Sequence, residues 1–258
     1  MNKTKIEWCD STWNPVTGCL HDCEYCYARK IATRFGGTQK YASIFEENEP
    51  VIDSSGKILP YPHSFSPTFL RYRFDEPQKQ TKPRTIFVCS MADLFGEWVP
   101  DDWIEAVFEA CKKAPQHRYL FLTKNPKRYA ELDERAKLPI SDNMWYGATA
   151  VNNEQFSEAI KSFGYLYAKT FLSIEPILEN ININNIHTPS GWCPEFKFYV
   201  DWIITGAESG NRKDKIIPEK AWIDNICNAT DKANTPVFMK DSLIPIVGEK
   251  SMRREFPW

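Results

Sequence analysis

Short runs rich in β-branched and aromatic residues recur along this chain, each closed by polar or turn residues and most followed by a stretch of helical periodicity. They are TIFVCS from Thr85, YLFLT from Tyr119, MWYGAT from Met144, TFLSIE from Thr170, WIITGA from Trp202 and PVFMK from Pro236. Being apolar on both faces, they read as parallel strands covered on both sides. Between them, DDWIEAVFEACKKA predicts a helix capped by Asp101, with Trp103, Ile104, Val107, Phe108 and Cys111 facing inward. NPKRYAELDERAK predicts a second, with Asn125 as cap and Pro126 in the first turn. Two more fit NNEQFSEAIKSF and PEKAWIDNICNATDKA, the latter with Trp222, Ile223, Ile226 and Cys227 as its inner stripe. A first strand around Trp13 to Thr17 and a helix from Tyr27 to Phe35 complete a βα repeat. Such a repeat is most economically an α/β fold of the partial or full (β/α) barrel kind, with the open doubly wound sheet as competitor. In either fold, ligands belong at the carboxyl ends of the strands.

Two segments interrupt the repeat. Residues 36–84 are rich in Pro, Gly, Ser, Tyr and Phe with little periodicity, and residues 177–200 run through NININNIHTPSGWCPEF where a helix was due. Long irregular excursions in a compact domain are lids and binding loops or else linkers. The expectation is one barrel domain over 1–258, with an insert or lid at 36–84 and an irregular loop at 177–200.

No apolar run approaches the ~20 residues that span a bilayer. The opening MNKTKIEWCDS lacks the apolar core and cleavage site of a secretory signal, so the eight cysteines are expected in a reducing cytoplasm, as ligands or core residues rather than disulfides. A net charge of −2 supplies no global positive field for nucleic acid, although a local basic groove is compatible with it.

Against this background GCLHDCEYCYAR, from Gly18 to Arg29, sets Cys19, Cys23 and Cys26 at C-x3-C-x2-C spacing. Three thiolates can hold three irons of a cubane cluster, and full protein ligation would take four. The fourth iron is then open, as open coordination marks a catalytic metal site. The alternative is a zinc knuckle with His21, Cys9 or a distant residue as fourth ligand. His21 lies too close to Cys19 and Cys23 for a shared tetrahedron, and no second ligand pair follows.

The motif, with Tyr25 just before the last cysteine, resembles that of the radical S-adenosylmethionine (radical SAM) enzymes. The resemblance implies a 4Fe-4S cluster on Cys19, Cys23 and Cys26, S-adenosyl-L-methionine chelated at the open iron, and an external electron donor. It further implies cleavage of the sulfonium bond to a 5'-deoxyadenosyl radical that abstracts hydrogen from substrate. SMADLF from Ser90, LTKNPKRY from Leu122, FLSIEP from Phe171 and GAESG from Gly206 are similar to a branch found in bacteriophages and mobile elements, distantly related to the spore photoproduct lyase group. By that likeness Ser90 and Asp93 would receive the cofactor's ammonium, Lys124 its carboxylate, and Thr149 its ribose, with Tyr25 beside it. Ion pairing of Lys124 with a carboxylate, and helix capping by Ser90 or Thr149, are the structural alternatives. Where the branch usually has an acid two positions after Thr149, this chain has Val151.

Glu175, Glu208 and Lys240 end later strands and are candidates for substrate binding or proton transfer, or for a structural ion-pair network. Cys89, Cys111 and Cys227 read as core residues, and Cys193 as a loop thiol able to donate hydrogen to a substrate radical. Likeness to the photoproduct lyase group implies a nucleic-acid base or nucleotide as substrate. Tyr61, Phe65, Phe69, Arg71, Tyr72 and Arg73 would then stack bases and hold phosphates, or else pack as a cover. A peptide or small metabolite, which the acidic pI favours, is the other substrate class, and a non-catalytic iron-sulfur protein the remaining reading.

Overall fold

The computed structural model describes residues 1–36, 43–183, 187–188, 191–192 and 199–258; Cys193 and parts of both irregular segments lie outside them. Two compact units divide the chain, Met1–Asn125 and Pro126–Trp258.

The first unit contains β1 (Asn2–Lys3), β2 (Ser11–Trp13), β3 (Val16–Thr17), α1 (Tyr27–Gly36), β4 (Phe45–Glu47), β5 (Thr68–Leu70), β6 (Thr85–Val88), α2 (Asp101–Lys112) and β7 (Arg118–Thr123). β2, β6 and β7 are parallel neighbours and β1 runs antiparallel to β2. β3, β5 and β4 make a separate small sheet. The strand expected from Trp13 to Thr17 is thus divided between two sheets. Pro15 has no N–H to give a ladder, and the Asn14 side chain instead accepts from Ser90 Oγ (3.1 Å) and the Met91 N–H (3.0 Å).

α2 buries Trp103, Ile104, Val107, Phe108 and Cys111 as its periodicity predicts. Each large apolar side chain so buried contributes roughly 1.5–3 kcal/mol. Its cap position is Pro100, whose ring offers no acceptor, rather than Asp101; Asp101 and Asp102 fall in the first turn, favourable to the helix dipole. Phe69 lies in the core, stacked on Trp103 at 5.0 Å, and Trp103 Nε1 donates to Glu46 at 2.7 Å. Tyr61 and Phe65, half-buried, pack against Ala28 and Ala32 of α1. Arg71 stands over the Phe69 ring, and Arg73 over that of Tyr72.

The second unit contains α3 (Lys127–Glu134), β8 (Met144–Thr149), α4 (Asn153–Phe163), β9 (Lys169–Ile174), the antiparallel pair β10 (His187–Thr188) and β11 (Gly191–Trp192), then β12 (Trp202–Thr205), α5 (Lys220–Ala233), β13 (Val237–Met239) and α6 (Ile244–Val247). β8, β9, β12 and β13 are parallel in that order. Asn152 caps α4 by accepting the Gln155 N–H at 2.9 Å. Asn125 does not cap α3: its amide donates to the Phe95 carbonyl at 2.9 Å. α5 turns Ile223, Ile226, Ala229 and Thr230 inward, leaving Trp222 and Cys227 half-buried.

Parallel strands thus alternate with helices in each unit, the α/β pattern that the sequence predicts. Among the described residues, no helix is long and apolar enough to cross a membrane.

Candidate active site

The cysteine loop leaves β3 at Gly18, whose φ of +86° only glycine adopts without strain. A Cβ there would stand 2.1 Å from the Ser66 carbonyl oxygen, so close backbone approach also requires glycine. The Gly18 N–H donates to Met91 O (2.8 Å) and the Cys19 N–H to Phe65 O (3.1 Å). At the loop's far end, the Arg29 N–H in the first turn of α1 donates to Cys26 Sγ at 3.3 Å.

None of the cysteines described forms a disulfide, and Cys19, Cys23 and Cys26 are all half-buried. Burial pushes the Cys19 thiol up to about 12; the Asp93 charge and the other two cysteines add to this, and the His21 backbone N–H opposes it. Cys19 therefore lies within electrostatic reach of Cys23 and Cys26. Three free thiols on one short loop fit the donor set of a cluster held by three cysteines. Among the described residues no group of three His, Cys, Asp or Glu side chains is placed to hold a metal ion.

Asp93 is buried (5% exposed) and organises the loop's surroundings. Its Oδ2 lies 2.7 Å from His21 Nε2 and accepts the Lys124 N–H at 2.8 Å, while Oδ1 accepts the Phe95 N–H at 3.0 Å. His21 also meets the Trp98 ring edge-on at 4.8 Å. Gly96 makes room for that indole, since a Cβ would sit 2.4 Å from it. Lys124, just past β7, donates from Nζ to the Tyr25 hydroxyl (2.7 Å) and stands 5.1 Å from its ring centroid. Burial raises the Tyr25 hydroxyl pKa, and the Lys124 charge opposes the rise. Ser90, past β6, donates to Asn14 and gives its carbonyl to the Tyr27 hydroxyl at 2.7 Å. The first unit thus brings Tyr25, Asp93, Lys124 and the three cysteines into one network, with Ser90 beside it.

In the second unit Thr149 ends β8, buried, in register with Ser173 of β9. Val151, 3% exposed, is a core residue. Glu175 follows β9 and forms an ion pair with Lys240, which follows β13. Gly206 lies between them, a Cβ there falling 3.3 Å from each side chain and 3.2 Å from Ser242 Oγ. The Ala207 N–H donates to that oxygen at 3.0 Å. Glu208, 7% exposed, is gripped by Arg212 through two 2.8 Å bonds, Nε to Oε1 and Nη2 to Oε2.

Trp98, Ser242 and Arg212 escape sequence reasoning, and His21 enters it only as a metal ligand. The spacing of Glu208 and Arg212 carries no signal outside a helix, and the others meet their partners through the fold alone.

Residues 3–244 match the model of the family described as "Protein of unknown function (DUF5131)". No curated protein matches the chain. Among solved structures, "Spore photoproduct lyase complexed with dinucleoside spore photoproduct" is similar at 11% identity and a TM-score of 0.48, over 90% of this chain and 63% of that one.

Proposed function

We propose that this chain, which belongs to the DUF5131 family, is a radical SAM enzyme. One observation carries the reading. The C-x3-C-x2-C loop presents three free thiols, and the aromatic residue inside the motif, Tyr25, is hydrogen-bonded to the strand-end Lys124. A structural loop has no need of a half-buried cation drawn to its centre.

When bound, the 4Fe-4S cluster would supply the electron that splits the sulfonium bond of S-adenosyl-L-methionine, giving methionine and a hydrogen-abstracting 5'-deoxyadenosyl radical. The electron comes from an external one-electron carrier. Cys19, Cys23 and Cys26 hold the cluster. Lys124 pairs with the cofactor carboxylate, and Tyr25 holds the ammonium of Lys124 in place for it. Among the described residues Asp93 accepts three hydrogen bonds, and a carboxylate can take a further donor, here the cofactor ammonium, alongside Ser90. Thr149 is assigned to the ribose. Glu175 and Lys240 share a proton-transfer role toward the substrate, and Glu208 is held ready by Arg212. A reducing cytoplasm keeps such a loop in the thiol form.

For the substrate we favour a nucleic-acid base or nucleotide, supported by the likeness of the Ser-x-x-Asp and Thr-Lys motifs to the photoproduct lyase group. A peptide or small metabolite is the second reading, favoured by the net charge of −2. The test is anaerobic reconstitution with iron and sulfide, then dithionite and S-adenosyl-L-methionine, with 5'-deoxyadenosine quantified against Cys26→Ala. Product from wild type alone is the expected result. A zinc-loaded protein that takes up no cluster sinks the proposal.

A further inference from the structure

His21 sits inside the cysteine motif, two residues after Cys19 and two before Cys23, yet its side chain turns away from any ligand role. Its Nε2 is 2.7 Å from Asp93 Oδ2, and its ring is seated edge-on against Trp98. Asp93 is in turn fixed by the Phe95 and Lys124 backbone N–H groups. The chain His21, Asp93, Lys124 N–H therefore ties the middle of the loop to the end of β7 through a carboxylate that is 5% exposed.

We infer that His21 is a positioning residue, a side-chain latch that joins the thiol loop to Asp93 and keeps the three cysteines in the arrangement that accepts the cluster. The inference rests on the radical SAM reading and extends it to a residue outside the ligand set. The other ties are backbone N–H bonds from Gly18, Cys19 and Arg29, the ion pair of Asp22 with Arg29 of α1, and the bond of Tyr25 to Lys124. Between Cys19 and Cys23, the His21 contact is the side-chain tether that reaches a different strand. Without it, the chain between Cys19 and Cys23 would be held by the exposed Asp22–Arg29 pair and the Tyr25 region, and ordering a loop residue costs backbone entropy. That cost would then fall on cluster binding.

The latch also bears on charge. A buried carboxylate within reach of Cys19 opposes negative charge on that sulfur, and the donors fastened to the carboxylate offset that opposition. His21 is the side-chain member of those donors, so its removal leaves the Asp93 charge less compensated beside the cluster.

The experiment compares wild type, His21→Ala and His21→Gln after anaerobic reconstitution. Iron and sulfide per chain, the rate of cluster loss to a chelator, and the cluster's midpoint potential are read for each. Thermal melting of the unloaded proteins is measured in parallel. We expect His21→Ala to melt within a few degrees of wild type but to lose its cluster about tenfold faster or more, as loss of a charge-assisted bond predicts. Its potential should shift to lower values, and His21→Gln, whose amide can still donate to Asp93, should recover most of both properties. A loaded His21→Ala indistinguishable from wild type in loss rate and potential overturns the latch and leaves the radical SAM reading standing. Equal lability of His21→Ala and His21→Gln overturns it as well. A wild type that takes up no cluster overturns both.

Discussion

Tyr25 and Lys124 meet across 99 positions of sequence, by a 2.7 Å hydrogen bond and a cation above a ring. Removing the hydroxyl in Tyr25→Phe keeps the ring contact but frees the ammonium from its fixed place. The affinity for S-adenosyl-L-methionine should fall about tenfold, the worth of one hydrogen bond to a charged group, with cluster content unchanged. Calorimetric titration of the loaded protein reads this, and an unaltered affinity removes Tyr25 from the site. At Gly18, an alanine must adopt a φ of +86° and place its Cβ against the Ser66 carbonyl. Gly18→Ala should lose about 2 kcal/mol or more in denaturant unfolding, since left-handed strain alone costs about 1–2 kcal/mol. In the ion pair of Glu175 and Lys240, Glu175→Gln and Lys240→Met should each destabilise by about 1–3 kcal/mol, and the double variant by less than their sum, because neither then strands a partly buried charge. Additive losses would show that the two side chains do not depend on each other.

At the scale of elements, the carboxy-terminal segment closes the second unit beside β13. The Met239 N–H donates to Arg253 O (2.8 Å) and the Glu255 N–H to Val237 O (3.0 Å). Trp258 meets Trp145 at 5.5 Å and Trp202 at 5.1 Å, and Phe256 packs on Phe238 at 5.1 Å. Trp258→Ala should therefore cost about 1–2 kcal/mol, a loss of aromatic contacts at a half-exposed site, readable as a lowered Tm. Burial pushes the Glu255 carboxyl up, but the Arg253 guanidinium and the Val237 N–H outweigh it and hold the group below the ordinary carboxylate range. A depressed folded value means the unfolded chain binds the proton more readily. The stabilisation from Glu255 is thus present above the ordinary carboxylate pKa and is lost as pH falls through the lower folded value. Glu255→Gln should flatten the acid limb of the stability profile below about pH 4.5. A parallel acid limb in the variant would show that Glu255 contributes nothing to it.

At the scale of the whole molecule, a net charge of −2 sets the terms on which a nucleic acid could bind. If the substrate is a base or nucleotide within a strand, retention on single-stranded DNA should be measurable at low salt and fall steeply as salt rises, because counterion release supplies the affinity. No retention at low salt would favour the small-molecule or peptide reading. Period and composition made the α/β repeat legible, since strands apolar on both faces and helices apolar on one obey local rules. The inner face of α2, the Asn152 cap and the thiol motif were readable for the same reason. Where local rules had a competitor, the fold decided: Asn125 serves the Phe95 carbonyl instead of a helix cap, and Asn14 with Pro15 divides a predicted strand between two sheets. The sequence by itself determined the alternation of elements, the three thiols and the strand-end position of Lys124, Glu175 and Lys240. Only the tertiary structure decided which of these meet: His21 with Asp93, Tyr25 with Lys124, Glu175 with Lys240, and Glu208 with Arg212. The physical reason is that periodicity encodes which face a residue occupies, whereas a hydrogen bond between side chains on different elements depends on register and close approach that no local pattern records.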